Sequence, residues 1–136
     1  MKNLIIALYL VVFSGGCNGL HETLHYHYQS FQGWFPSADA QYWDPAESWT
    51  NKYQNGDPEQ GPRFFLSTTV LVAFTDAKHL LGELHRDTLA LGMWFFGYWY
   101  RGCRHRHHFL LIGLCAIGLW VVHALGFHFV YGLLFG

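Results

Sequence analysis

Residues 109–135 form an apolar run that, wound as a helix at ~1.5 Å per residue, is long enough to cross a bilayer, and it carries His123 and His128. That run limits the fold more than any motif does. Gly113, Gly118, Gly126 and Gly132 within it permit close approach of a neighbouring helix. The rest of the chain agrees with it. Of 136 residues, 51% are hydrophobic and 19% aromatic against 12% charged, too few charges to solvate so much apolar surface in water. The expectation is one all-α integral membrane domain over residues 1–136, with the lipid bilayer as its solvent. A formal net charge of −1 excludes a generally basic nucleic-acid binder. Three cysteines, Cys17, Cys103 and Cys115, stand too far apart for a thiolate metal site and suggest no disulfide framework.

In chain order, residues 1–28 read as the first membrane helix and 29–63 as an aromatic cap loop with a short helix. Residues 64–87 read as the second membrane helix, 88–100 as a short aromatic helix, 101–108 as a basic loop and 109–136 as the last membrane helix. Lys2, the apolar run at 4–13 and Ser14-Gly15-Gly16-Cys17 also fit a secretory or lipoprotein signal, but no aliphatic residue stands three before Cys17, which favours a retained helix. The cap holds Trp34, Phe35, Tyr42, Trp43, Trp49 and Tyr53, rings suited to the headgroup layer. Within it, Asp44-Pro45-Ala46-Glu47 predicts a helix start, with a short helix to about Tyr53. The segment 18–63 has six acidic and two basic residues and belongs on the non-cytoplasmic side, while Lys2, Arg86, Arg101, Arg104 and Arg106 belong inside. Those charges agree only if 88–100 lies in the interface or re-enters. The result is three spans plus an interfacial helix; four spans is the alternative.

The chemistry concentrates at His21-Glu22-Thr23-Leu24-His25, which spells H-E-x-x-H. On a helix, i and i+4 share a face, so both imidazoles can reach one zinc, with Glu22 as general base for a metal-bound water. A catalytic zinc needs a third protein ligand. Asp76 is one candidate, with His79 beside it on the second helix; His128, near the outer end of the last helix, is the other. On the three-span reading Asp76 lies ~18 Å below the outer boundary, which favours His128. A second chemistry is a bis-histidine haem b between His79 and His123, which fall at similar depths. A third reading has no chemistry: interfacial or core histidines, Asp76 and Glu83 paired with Lys78, Arg86 or a neighbouring helix, and a structural or accessory subunit that packs against other membrane subunits or a second copy of itself. The run Arg104-His105-Arg106-His107-His108 reads as a solvated basic loop.

Two stretches, 21–25 and Thr75-Asp76-Ala77-Lys78-His79-Leu80-Leu81, resemble the H-E-x-x-H and later Asp ligand of site-2-type intramembrane zinc metalloproteases, although no Gly follows Asp76. That resemblance implies zinc held by His21, His25 and Asp76, with Glu22 as general base; the leading expectation for function is a membrane-embedded zinc-dependent hydrolase acting on a peptide or lipid bond near the outer face. Trp43-Asp44-Pro45, residues 48–53 and Ser67-Thr68-Thr69 resemble small multi-pass bacterial membrane proteins. This second likeness implies the bacterial inner membrane and brings no activity with it.

Overall fold

The computed structural model describes residues 1–102 and 108–135. The described residues are predominantly helical; their one β-type contact is an isolated antiparallel bridge between Tyr53 and Pro62. Three long helices carry the architecture: α1 (Lys2–Tyr26), α5 (Ala77–Gly102) and α6 (His108–His128), which continues as a wider π-helical stretch at Phe129–Leu134. Short helices α2 (Tyr28–Trp34), α3 (Ala40–Trp43) and α4 (Pro45–Ser48), with several 3-10 turns, connect α1 to α5.

α1 is the central element, with α5 and α6 each packed along it. Pairings fix the directions. Ala7 and Val11 meet Gly92, Ser14 meets His85, His21 meets Gly82 and His25 meets Lys78, so α5 runs antiparallel to α1. Gly15 meets His123 and Phe127, whereas Gly19 meets Phe127 and Tyr131, so α6 runs parallel to it. The α1/α6 contact is backbone on backbone. A Cβ at Gly15 would stand 2.1 Å from the His123 carbonyl oxygen, and one at Gly126 would stand 2.2 Å from that of Val12. Only glycine permits such an approach.

Expected and observed boundaries differ most between 64 and 100. A continuous second membrane helix from 64 does not form: residues 64–71 are turns, Leu66 takes φ 58°, Val72–Phe74 is a 3-10 turn, and the α-helix starts at Ala77. The reason is local. Asp76 accepts the His79 backbone N–H at 2.9 Å, and its own carbonyl accepts from Leu80. It is therefore the N-cap of α5, not a polar residue in mid-span. The short aromatic helix expected at 88–100 is the C-terminal half of the same 26-residue α5. The start at Asp44-Pro45 forms as expected, with Asp44 accepting the Ala46 N–H at 2.9 Å, but the turn tightens to 3-10 at Trp49–Lys52.

Two helical stretches, Lys2–Tyr26 and Leu111–Leu134, are long and apolar enough to cross a membrane. In α5, Lys78, Glu83, Arg86 and Asp87 make the first half strongly polar. The buried core gathers Cys17, Leu24, Phe31, Ala77, Leu81 and Phe135. Phe31 closes it from the connecting segment, its ring stacked 5.1 Å from Trp43 and tilted 6.0 Å from Phe135. Of the basic loop, residues 103–107 (Cys103, Arg104, His105, Arg106 and His107) lie outside the described residues.

Candidate functional site

The H-E-x-x-H segment is helical, as its spacing predicts, and both imidazoles lie along α5. His21 packs over Gly82, whose Cβ position is 3.6 Å from the ring, and its Nδ1 is 3.3 Å from Glu22 Oε1. One turn on, Lys78 Nζ donates to His25 Nδ1 at 2.7 Å. Both residues belong to a longer row. On α1, positions 7, 11, 14, 21 and 25 meet α5, and position 18 completes the 4-3-4-3-4 spacing. On α5 the meeting positions 78, 82, 85 and 92 follow the same rule, with 89 completing it. This is the heptad seam of two antiparallel helices.

Asp76 sits at the head of that seam, because α5 begins there. The ~18 Å depth separating it from the motif on a helix starting at 64 therefore does not arise. Its carboxylate is 2% exposed and fully engaged: Oδ1 takes the His79 N–H, while Oδ2 lies 2.7 Å from His79 Nδ1 and accepts the Thr75 hydroxyl at 3.0 Å. Burial alone would push the Asp76 carboxyl up, but the His79 side chain and backbone N–H, the His79 charge and the Thr75 hydroxyl together hold it below the usual carboxylate range. Asn51 ties the connecting segment to the same point by donating to the Thr75 carbonyl at 3.0 Å. Burial, and then the Asp76 charge, push the Tyr42 phenol upward.

The remaining candidates are dispersed. His128 is exposed, with its ring edge-on to Phe127. His79 lies level with about residue 24 of α1 and His123 against Gly15, so they stand ~13 Å apart along the helices, and His79 is bound to Asp76. Among the described residues, no three His, Cys, Asp or Glu side chains converge to hold a metal ion. Glu83 pairs with Arg86, one of the partners the sequence suggests for it.

Sequence reasoning missed His85. Its ring centre is 5.3 Å from that of His123, and its Nδ1 lies 3.0 Å from the Ser14 hydroxyl and 3.3 Å from the Ser14 carbonyl. The signal was available as spacing, since His85 lies seven residues after Lys78 on the seam. Also missed was His27, whose Nε2 is 2.9 Å from the Tyr131 hydroxyl and joins the end of α1 to the tail of α6. A cavity of about 470 Å³ opens at this end, lined by residues 24–30 and 44–46. Tyr28 lies along it with its hydroxyl buried and unpartnered. Burial, and then the charges of Asp44, Glu47 and Asp39, push that phenol up. A much more apolar cleft of about 620 Å³ is bounded by α1, α5 and α6, lined by Phe13, Cys17, Leu84, Leu125 and Phe129 among others. No protein-family model, curated protein or solved structure matches the chain.

Proposed function

We propose that the chain is a membrane-embedded helical subunit whose histidines and acids hold its helices together, a structural or accessory role in place of a reaction. The observation that carries this reading is how the polar groups are engaged: His25 with Lys78, His85 with Ser14 and His27 with Tyr131 across elements, and Asp76 with Thr75 and His79 at the head of α5. The bilayer setting draws support from α6, which is apolar around its circumference while Ile117, Trp120, Leu125 and Phe129 are exposed. On this reading α1 and α6 span a bacterial inner membrane, and residues 29–63 lie on its non-cytoplasmic side, rich in acids and aromatic anchors.

Zinc-dependent hydrolysis is the competing reading. It is favoured by the helical H-E-x-x-H itself, with Glu22 beside His21. His21 and His25 would be the zinc ligands there, with Asp76 or His128 as third, and Glu22 the base. Complementation separates the two. In a strain lacking the chain, Glu22→Gln should restore function fully, whereas Gly15→Val, which pushes α6 off α1, should behave as the deletion. Failure of Glu22→Gln to complement, with the variant present at normal level in the membrane, overturns the structural reading in favour of the enzyme.

A further inference from the structure

One face of α5 is covered and the other is open. Positions 78, 82, 85 and 92 lie against α1, whereas Arg86, Asp87, Ala90, Trp94 and Gly97 are exposed on the opposite side. The open face carries its charge at the middle of the bundle. His85 meets Ser14, the central residue of the 25-residue α1, and His123, at the centre of the apolar stretch Leu111–Leu134, meets the adjacent Gly15. Arg86 and Asp87 follow His85 directly and so lie within ~3 Å of that level along the helix. Arg86 pairs with Glu83, yet its side chain is 66% exposed. Asp87 has no hydrogen-bond or ion-pair partner among the described residues. Charged side chains at bilayer mid-depth face protein or a wet cavity, because lipid exposure there is costly.

We propose that a second copy of the chain covers this face, making a two-fold dimer through α5. The proposal rests on the bilayer setting inferred for α1 and α6. Positions 83, 87, 90, 94 and 97 follow 4-3-4-3 spacing, the pattern of a second helix–helix seam. A two-fold interface must be complementary to itself, and neighbouring charges of opposite sign at 86 and 87 meet that condition. Copies inserted in the same direction set their α5 helices parallel and at one depth. In such a seam the side chain at 87 packs beside residue 86 of the other helix. Each Arg86 guanidinium then lies between Glu83 of its own helix and Asp87 of the other copy. Next to this layer, Ala90 and Gly97 are small enough for two backbones to approach. The Cβ position of Gly97 meets nothing within 4 Å, whereas those of Gly15, Gly19, Gly92 and Gly126 are each pressed by a neighbouring helix.

The test is disulfide trapping of the full chain in bacterial membranes, with its own cysteines replaced (Cys17→Ala/Cys103→Ala/Cys115→Ala). Ala90→Cys in that background should oxidise to a species of twice the chain mass, since facing positions of the seam fall within the ~7 Å Cα separation a disulfide can bridge. Ile117→Cys, exposed on α6, should stay monomeric. Asp87→Arg sets like charges against each other and should weaken dimerisation in detergent at least tenfold. Arg86→Asp/Asp87→Arg restores the complementarity and should recover most of it. A parent that resists alkaline carbonate extraction but gives no trapped dimer overturns the dimer alone. Equal trapping through Ile117→Cys, or a dimer indifferent to Asp87→Arg, does the same. A trapped product of any other mass overturns the choice of a second copy in favour of a different membrane subunit. Release of the parent by carbonate overturns the bilayer setting, and this proposal with it.

Discussion

The two faces of α1 are joined to their neighbours by opposite means. Toward α5 the contact is made by side chains: Ser14 with His85, His21 over Gly82, and Lys78 on His25. Toward α6 it is made by backbone, with Gly15 and Gly126 at the crossing and little polar contact except His27 with Tyr131 at the end. The difference follows from the partners. α5 is polar in its first half and must satisfy those groups where it is covered, whereas α6 is apolar all round and gains most from close van der Waals approach. One seam depends on chemistry and the other on the absence of a methyl group.

Predictions follow that order. Gly15→Ala and Gly126→Ala each place a carbon about 2 Å from a carbonyl oxygen, so the helices must separate. Loss of stability at the upper end of the overpacking range, about 3 kcal/mol or more, is expected in detergent unfolding. Tolerance of either change would mean that α6 does not sit on α1 this way. Asp76→Ala removes the cap of α5 and leaves the Thr75 and His79 donors unsatisfied, a loss of roughly 2–3 kcal/mol by the same assay. Asp76→Asn should cost less, since the amide oxygen can still cap.

The Asp76 carboxyl is held below its unfolded value, so its contribution is complete above the unfolded carboxylate pKa of about 4 and disappears as the pH falls below it. Stability measured from pH 6 to pH 2 should fall less steeply in Asp76→Asn than in the parent. Ser14→Ala removes the hydroxyl bonded to both His85 Nδ1 and the His85 carbonyl, for about 1–2 kcal/mol. Lys78→Ala comes last, at about 0.5 kcal/mol, because His25 is exposed and water replaces the contact.

Much of this was legible in the residues, and what was not has a specific cause. The end helices and the aromatic segment between them follow from hydropathy. The second helix was misplaced because apolar residues at 64–74 continue smoothly into 77–84, so hydropathy alone gives no boundary. The boundary lies in Asp76, by the same capping rule that locates the helix start at Asp44. The motif was ambiguous for a geometric reason. Two side chains four residues apart share a face whether they meet a metal ion or a neighbouring helix, and the longer row at 7, 11, 14, 18, 21 and 25 is what supports the second case in the reading proposed above. His85 went unread because no motif contains it; it matters only once α5 is laid antiparallel to α1.

The central claim is that His21 and His25 serve the α1/α5 seam and bind no catalytic metal. Elemental zinc analysis of the detergent-purified chain beside its His21→Ala/His25→Ala variant tests it most directly. The account predicts the same zinc content in both, well below one atom per chain. About one zinc per parent chain, absent from the variant and retained in Glu22→Gln, would contradict it.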